Sequence, residues 1–72
     1  MSFDIIIEVK PNCGILIEDF VKEALLYALE NQVIVKADFN GVEMEIYPFI
    51  PPKNSFDDEI KEYIEYYYEM VK

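Results

Sequence analysis

The sequence contains no histidine and no arginine, and it has a single cysteine, Cys13. Without histidine, the chain lacks the side chain that most often serves as a general base near neutral pH and as a nitrogen ligand for metals. One cysteine forms no internal disulfide and completes no zinc site. With no histidine to activate its thiol, Cys13 is expected to be an ordinary small residue. We therefore expect no enzyme, no metal site and no cofactor.

Long apolar runs and clusters of basic residues are missing as well. The stretch "DIIIEV" is too short and too interrupted for a membrane span or a signal peptide. Together with the single cysteine, this predicts a reducing, cytoplasmic setting. All six basic residues are lysines spread singly along the chain, so no basic stripe neutralises phosphates and no arginine reads a base. We expect neither membrane binding nor direct nucleic-acid binding.

The residues that are present describe a small acidic domain. The chain has 72 residues, 53% of them apolar, and a formal net charge of -9, which predicts one folded domain over residues 1–72. A single core of this size supplies only about 3 to 5 kcal/mol of stability, which leaves room for help from a partner or from self-association. The negative field favours encounter with positively charged surfaces.

Hydrophobic periodicity predicts a strand followed by a helix in the first half. Residues 3–9 alternate, with Ile6 and Glu8 on the polar side. The apolar side of this strand carries Phe3, Ile5, Ile7 and Val9. The segment "KPNCG" ends the strand, and Asn12 or Gly14 is available to cap a helix over residues 15–31. The predicted apolar stripe of this helix is Ile17, Phe20, Val21, Ala24, Leu25 and Ala28.

The segment "QVIVKADFNGVEMEIY" has the strongest local signal in the sequence. Two alternating runs are joined by Asn40-Gly41, which suits a two-residue type I′ hairpin turn. Pairing outward from the turn gives a core face of Phe39 with Val42, Ala37 with Met44, and Val35 with Ile46. The other face then pairs Asp38 with Glu43, Lys36 with Glu45, and Ile34 with Tyr47. The like charges of Asp38 and Glu43 are tolerated when they are hydrated or neutralised.

A second helix follows the stiff connector "PFIPPK". Ser55 and Asp58 form a capping-box start, and the helix runs to near the C-terminus. Its predicted apolar stripe is Phe56, Ile60, Tyr63, Ile64, Tyr67 and Val71. The polar side carries Glu59, Glu62, Tyr66, Tyr68 and Glu69. This acidic and aromatic side is either a hydrated surface with partly exposed tyrosines or a surface that meets a partner.

The order strand, helix, hairpin, helix predicts an α+β fold. We expect a small β-α-β-β-α sandwich, in which a three-stranded sheet carries both helices on one face. If the first two strands are parallel in one sheet, the helical crossover between them is right-handed. The sequence leaves open whether the first strand pairs with the second or with the third. In either case an edge strand stays open to a dimer or a partner.

The arginine-free acidic composition, the hairpin "ADFNGVEMEIYP" and the acidic, tyrosine-bearing terminal helix resemble small proteins of bacteriophages and mobile elements. These include anti-CRISPR proteins and other counter-defence inhibitors. The resemblance implies a protein of the bacterial cytoplasm that binds stoichiometrically. Its expected target is a basic, nucleic-acid-binding groove on a host enzyme such as a defence nuclease.

Two hypotheses about function follow. In the first, the chain is an acidic inhibitor that binds a protein partner with a basic surface, because charge steers the encounter and tyrosines supply contact area. Its candidate binding residues are Glu59, Glu62, Tyr66, Glu69, Tyr68, Asp38, Glu43 and Glu45. In the alternative, the chain is a non-catalytic structural or regulatory subunit that forms a homodimer through Ile6, Ile34 and Tyr47 or through an open strand edge.

Overall fold

A computed structural model describes residues 6–9 and 14–71 of the chain. The elements are β1 (Ile6–Val9), α1 (Ile17–Asn31), β2 (Ile34–Phe39), β3 (Val42–Ile46) and α2 (Phe56–Met70). This confirms the α+β prediction of a β-α-β-β-α chain with a three-stranded sheet. The expectations for Phe3, Ile5, Asn12 and Cys13 lie outside the described residues.

The sheet has the order β1-β2-β3, which decides the strand order that the sequence left open. β1 pairs with β2 in parallel, with Ile6 opposite Ile34 and Glu8 opposite Lys36. β2 pairs with β3 in an antiparallel ladder. Parallel pairing requires the chain to return to the same end of the sheet, and α1 provides that crossover. β2 is therefore the central strand, and β3 lies at an edge.

The hairpin register agrees with the prediction over five pairs, from Phe39 opposite Val42 to Val35 opposite Ile46. The ladder stops there and does not include the predicted pair of Ile34 with Tyr47. The physical reason is Pro48, which directly follows Tyr47 and has no N–H to donate to β2.

The turn of the hairpin has the backbone that its sequence requires. Asn40 has a φ of 51° and Gly41 a φ of 85°, as a type I′ turn demands. The Asp38 carboxylate accepts a hydrogen bond from the Gly41 N–H at 3.1 Å. An ion pair of 3.7 Å between Lys36 Nζ and Glu43 Oε2 crosses the strands diagonally. These contacts offset the repulsion between Asp38 and Glu43, which are direct neighbours in the ladder.

The core lies on one face of the sheet, and both helices pack there. The buried apolar residues of β2 and β3 are Val35, Ala37, Phe39, Val42, Met44 and Ile46. They form one cluster with all six residues of the predicted α1 stripe and with Tyr67 of α2. Ring centroids are 5.3 Å apart both from Phe20 to Phe39 and from Phe39 to Tyr67. Three aromatic rings thus join α1, β2 and α2.

The helix starts differ in how well the sequence signals them. The predicted capping box of α2 is confirmed, since the Asp58 N–H donates to Ser55 Oγ and the Ser55 N–H donates to an Asp58 oxygen, each at 3.2 Å. α1 instead begins after Leu16, which offers no side-chain cap. Gly14 lies two residues before that position and is not the cap residue. None of the helices in the described part of the chain is long and apolar enough to cross a membrane.

Two predictions for α2 and its C-terminal end are wrong. Val71, placed in the apolar stripe, follows the last residue of α2 and is 47% exposed. Glu59, placed on the polar side, is only 7% exposed. The reason is the connector before the helix, because Asn54 folds back and donates a hydrogen bond to the Glu59 carboxylate at 3.1 Å.

Candidate partner-binding groove

α2 is tied to the hairpin at two points by tyrosine hydroxyl groups. The Tyr63 hydroxyl accepts the backbone N–H of Tyr47 at 3.3 Å. Four residues later in the helix, the Tyr67 hydroxyl accepts from the Asn40 side-chain amide at 3.1 Å. Asn40 precedes β3 and Tyr47 follows it, so α2 runs antiparallel to β3. The two ties fix the helix alongside the outer strand of the sheet.

A groove of about 560 Å³ opens between these two elements. We call it the β3–α2 groove, and its lining residues are Lys36, Glu43, Met44, Glu45, Glu59, Glu62, Tyr63 and Tyr66. Its volume lies within the usual range of roughly 300 to 1,000 Å³ for ligand-binding clefts. Side chains from both faces of the sheet contribute to the lining. The edge of β3 therefore passes along the groove.

That edge of β3 carries unpaired backbone groups. A two-residue hairpin loop makes its closing pair, Phe39 with Val42, a hydrogen-bonded pair, and such pairs then alternate along the ladder. The pairs of Met44 and Ile46 with β2 are hydrogen-bonded by this rule. The N–H and C=O groups of Glu43 and Glu45 consequently point away from β2. No hydrogen bond from another residue of the described part of the chain reaches them.

Negative charge dominates the lining, with four glutamates against the single lysine Lys36. Glu43 is the glutamate that pairs with this lysine, and its side chain remains 65% exposed. Glu45 is exposed and accepts a hydrogen bond from the Tyr47 hydroxyl at 3.3 Å. The two strand glutamates thus present carboxylates to solvent beside the open edge, and a cationic side chain can reach both of them.

Glu59 has a different part in the groove, because the residue is only 7% exposed. Burial raises the pKa of Glu59, and a hydrogen bond and the charge of Glu62 raise it further. The Asn54 amide and the charge of Lys53 act in the opposite direction. Asn54 also donates to Glu62 at 3.3 Å, so one amide holds both carboxyl groups. Glu59 therefore anchors the connector to α2 and is not free to bind a partner.

The tyrosines give the helix side of the groove its apolar area. Burial raises the pKa of Tyr63, so its hydroxyl stays protonated and can both accept and donate hydrogen bonds. Tyr66 is 46% exposed at the rim. Aromatic rings that are apolar in their body and polar at their tip are enriched in protein interfaces.

The structure brings together five of the eight residues predicted to bind a partner: Glu43, Glu45, Glu59, Glu62 and Tyr66. Asp38 lies in a smaller hollow of about 240 Å³, which it shares with Glu8, Val9, Lys36 and Glu43. Tyr68 packs edge-on against Tyr67, with ring centroids 5.5 Å apart, and does not line the groove. Glu69 also lies outside the lining.

Four residues at this site were missed or assigned only to other roles. Met44 and Tyr63 were assigned to the core and Lys36 to the ladder, because alternation identifies the face of an element but not what lies beyond an edge. Asn54 was not identified, since no local pattern signals an amide that folds back onto a helix. Within residues 6–9 and 14–71, no three acidic, cysteine or histidine side chains converge as metal ligands.

The residues predicted for self-association lie on the other face of the sheet. Ile6 and Ile34 are direct neighbours in the parallel ladder, and Ile6 is 57% exposed. Tyr47 is 40% exposed, and its hydroxyl group is bound to Glu45, so it lies on the same side. No described helix packs on this face.

Comparison of the chain with protein-family models, with curated proteins and with solved structures gives no match.

Proposed function

We propose that the protein is a non-catalytic, acidic binding module that occupies a basic, nucleic-acid-binding surface of a protein partner. The supporting observation is the β3–α2 groove, in which carboxylates and tyrosine rings from two separate elements line one cleft beside an open strand edge. The class of partner implied by the resemblance is a nucleic-acid-handling enzyme of a host cell, such as a defence nuclease.

The physical basis of the proposal is charge complementarity. The net charge of -9 attracts a positively charged surface over long range and accelerates encounter with it. At short range, Glu43 and Glu45 take the place of phosphate groups, and Tyr66 supplies contact area that excludes water. Protein carboxylates then compete directly with nucleic acid for the same lysines and arginines.

A capture experiment with matched charge variants tests this proposal. The tagged protein is immobilised, exposed to a nuclease-treated bacterial lysate, and washed with double-stranded DNA before a salt gradient. The variant Glu45→Lys/Glu62→Lys reverses two charges in the groove. The control Glu23→Lys/Glu30→Lys reverses two exposed charges on α1 that do not line it. Both variants change the net charge by the same amount.

The proposal predicts that the wild type and the α1 control retain the same nucleic-acid-binding proteins and that DNA releases them. The groove variant should lose them while keeping the wild-type circular dichroism spectrum. Equal retention by both variants, or retention that DNA does not disturb, contradicts the proposal, because the binding would then not involve the groove or not replace nucleic acid.

A second candidate function is that of a homodimeric structural or regulatory subunit. The observation that favours it is the apolar pair of exposed Ile6 and half-buried Ile34 on the sheet face that no described helix covers. A symmetric contact across this face would bury the pair. Sedimentation equilibrium at increasing protein concentration tests it. A dimer that Ile34→Glu dissociates supports this function, and a strict monomer at high micromolar concentration excludes it.

A further inference from the structure

We infer that the β3–α2 groove takes an extended, basic segment of the partner, which pairs with the free edge of β3 as a fourth strand. This inference rests on the proposed function and specifies the form of the partner. Strand addition to an exposed sheet edge is a recurring mode of peptide recognition, in which backbone hydrogen bonds give affinity and alternate side chains give specificity.

The first support is the geometry of the edge. The outward N–H and C=O groups of Glu43 and Glu45 are two residues apart, so they span about 7 Å along the strand. A segment of about three residues provides the complementary groups for both. The groove beside this edge has about 560 Å³ of open volume, and the hydrogen bonds of α2 to Asn40 and Tyr47 hold the helix alongside the edge.

The second support comes from the next outward N–H on the same edge. Tyr47 continues the alternation of Glu43 and Glu45, and its N–H already donates to a side chain of α2, the hydroxyl of Tyr63. The helix therefore provides a hydrogen-bond acceptor for the outward N–H at one end of the β3 edge only. For the N–H groups of Glu43 and Glu45, no acceptor is found among the described residues. An acceptor for them has to come from outside the described chain, from water or from a bound segment.

Alternation along an added strand sets the side chains that the groove prefers. Residues directly opposite Glu43 and Glu45 lie on the outer face of the sheet, where basic side chains form cross-strand ion pairs with the two carboxylates. The residue between them lies opposite Met44 and points toward α2, where Tyr63 and Tyr66 favour an apolar side chain. The expected pattern is basic, apolar, basic.

The same charges make a second copy of this chain a poor occupant of the groove. Antiparallel pairing of β3 with its own copy would place Glu43 and Glu45 against glutamates of the other copy. Like charges directly opposite each other destabilise a ladder, and natural edge strands use charge to prevent such pairing. The groove therefore selects a segment of a different, basic protein.

Fluorescence anisotropy with short labelled peptides tests this inference. The probe is Lys-Val-Lys-Val-Lys with both ends blocked, measured at low ionic strength with the 72-residue chain. Two isomers each carry two backbone N-methyl groups, one isomer on the last two lysines and the other on the two valines. Only alternate N–H groups of an added strand face the sheet, so N-methylation affects the two isomers unequally.

We expect one isomer to bind at least about tenfold more weakly than the unmethylated probe, because it loses backbone hydrogen bonds, and the other to bind nearly as well. Weakening of the lysine-methylated isomer indicates antiparallel addition, and weakening of the valine-methylated isomer indicates parallel addition. Equal binding of both isomers, or no binding of the unmethylated probe, overturns strand addition. The capture experiment then decides separately whether the proposed function stands.

A charge-matched pair of variants tests the role of the two strand carboxylates. Glu43→Gln/Glu45→Gln should bind the unmethylated probe about 2-fold to 30-fold more weakly, the range expected for the loss of two cross-strand ion pairs. The control Glu23→Gln/Glu30→Gln removes the same charge from α1. If both variants weaken binding equally, the probe responds only to net charge, and the inferred pairing is wrong.

Discussion

At the scale of single residues, the groove contains two kinds of glutamate. Glu43 and Glu45 are exposed and make their contacts at the surface, whereas Glu59 is 7% exposed and held by Asn54. Glu59 lies three residues before Glu62 on the same helix, and two ionised carboxylates at this spacing repel each other. The buried glutamate is therefore a structural contact that costs stability when it is charged.

This cost gives a pH dependence with a definite sign. The pKa of Glu59 is raised in the folded protein, so the folded state binds its proton more tightly than the unfolded state does. The stabilisation is complete below the unfolded pKa and is lost as the pH rises through the higher folded pKa. Above that pH, an ionised Glu59 stays buried beside Glu62. Neutral pH is thus the less favourable condition for this residue.

We predict that Glu59→Gln stabilises the protein at pH 7 by at least a few tenths of a kcal/mol, the size of one like-charge pair at this helical spacing. Its side-chain oxygen still accepts the Asn54 hydrogen bond. The gain should disappear below about pH 4, where carboxyl groups are protonated. Urea denaturation between pH 4 and pH 8 measures both effects.

The control for this prediction is Glu65→Gln, which removes the same charge from an exposed position of α2. It should change stability by less than Glu59→Gln at pH 7. Equal effects of the two variants would show that overall charge, and not the buried carboxyl group, sets the pH dependence.

At the scale of elements, the hairpin turn sets the register of β3, the strand whose edge faces the groove. Asn40 and Gly41 both have positive φ, and the space around a Cβ at position 41 is open to 4 Å. Any loss of stability on substitution of Gly41 therefore comes from backbone strain and not from a clash. Asparagine tolerates this backbone region better than alanine does.

We predict that Gly41→Ala destabilises the protein by about 1 to 2 kcal/mol, the cost of a left-handed backbone for a residue with a Cβ. Gly41→Asn should cost distinctly less. Thermal unfolding followed by circular dichroism compares the two. If the alanine and asparagine variants lose the same stability, the turn has relaxed to another type. The left-handed backbone at position 41 would then not be what holds the register of the hairpin.

The contact between α2 and the sheet gives another prediction at this scale. Tyr67→Phe keeps the ring against Phe39 but leaves Asn40 without its acceptor, so we expect a loss of about 1 kcal/mol. Tyr67→Ala also removes the buried ring, at a cost of about 3 to 5 kcal/mol. This loss is comparable to the total stability of a domain of this size. We therefore expect the Tyr67→Ala variant to be largely unfolded even without urea, as urea denaturation followed by circular dichroism would show. A folded Tyr67→Ala variant would show that α2 is held mainly by other contacts.

The sequence predicts the elements well where the signals are local. The pairs on either side of Asn40-Gly41 follow from turn geometry, and the stripe of α1 follows from helical period, because both depend on neighbouring residues alone. The strand order was not predictable, since the pattern of β1 suits pairing with either strand. The burial of Glu59 was missed because it depends on Asn54, in a connector whose path no periodicity describes.

At the scale of the whole molecule, the groove is a product of tertiary packing. Glu45 and Glu62 were both named as binding residues from the sequence, but only the antiparallel placement of α2 beside β3 brings them to one cleft. Tyr68 and Glu69, predicted with them, lie outside the lining. Tyr68 points to another side of the helix, whereas Glu69 shares the side of Glu62 but lies two turns further along α2. The sequence predicts which residues carry the acidic charge, and the packing of α2 beside β3 determines which of those residues line the groove.

The most direct test of the central claim is to map the binding surface by NMR. A ¹⁵N-labelled sample is titrated with the unmethylated Lys-Val-Lys-Val-Lys probe while amide shifts and hydrogen exchange are recorded. We predict shifts concentrated in residues 43–46 and 59–66, with slower exchange at Glu43 and Glu45 in the bound state. Equally large shifts at the exposed α1 carboxylates Glu18, Glu23 and Glu30, or no shifts within the groove, would contradict the claim that the β3–α2 groove is the binding site.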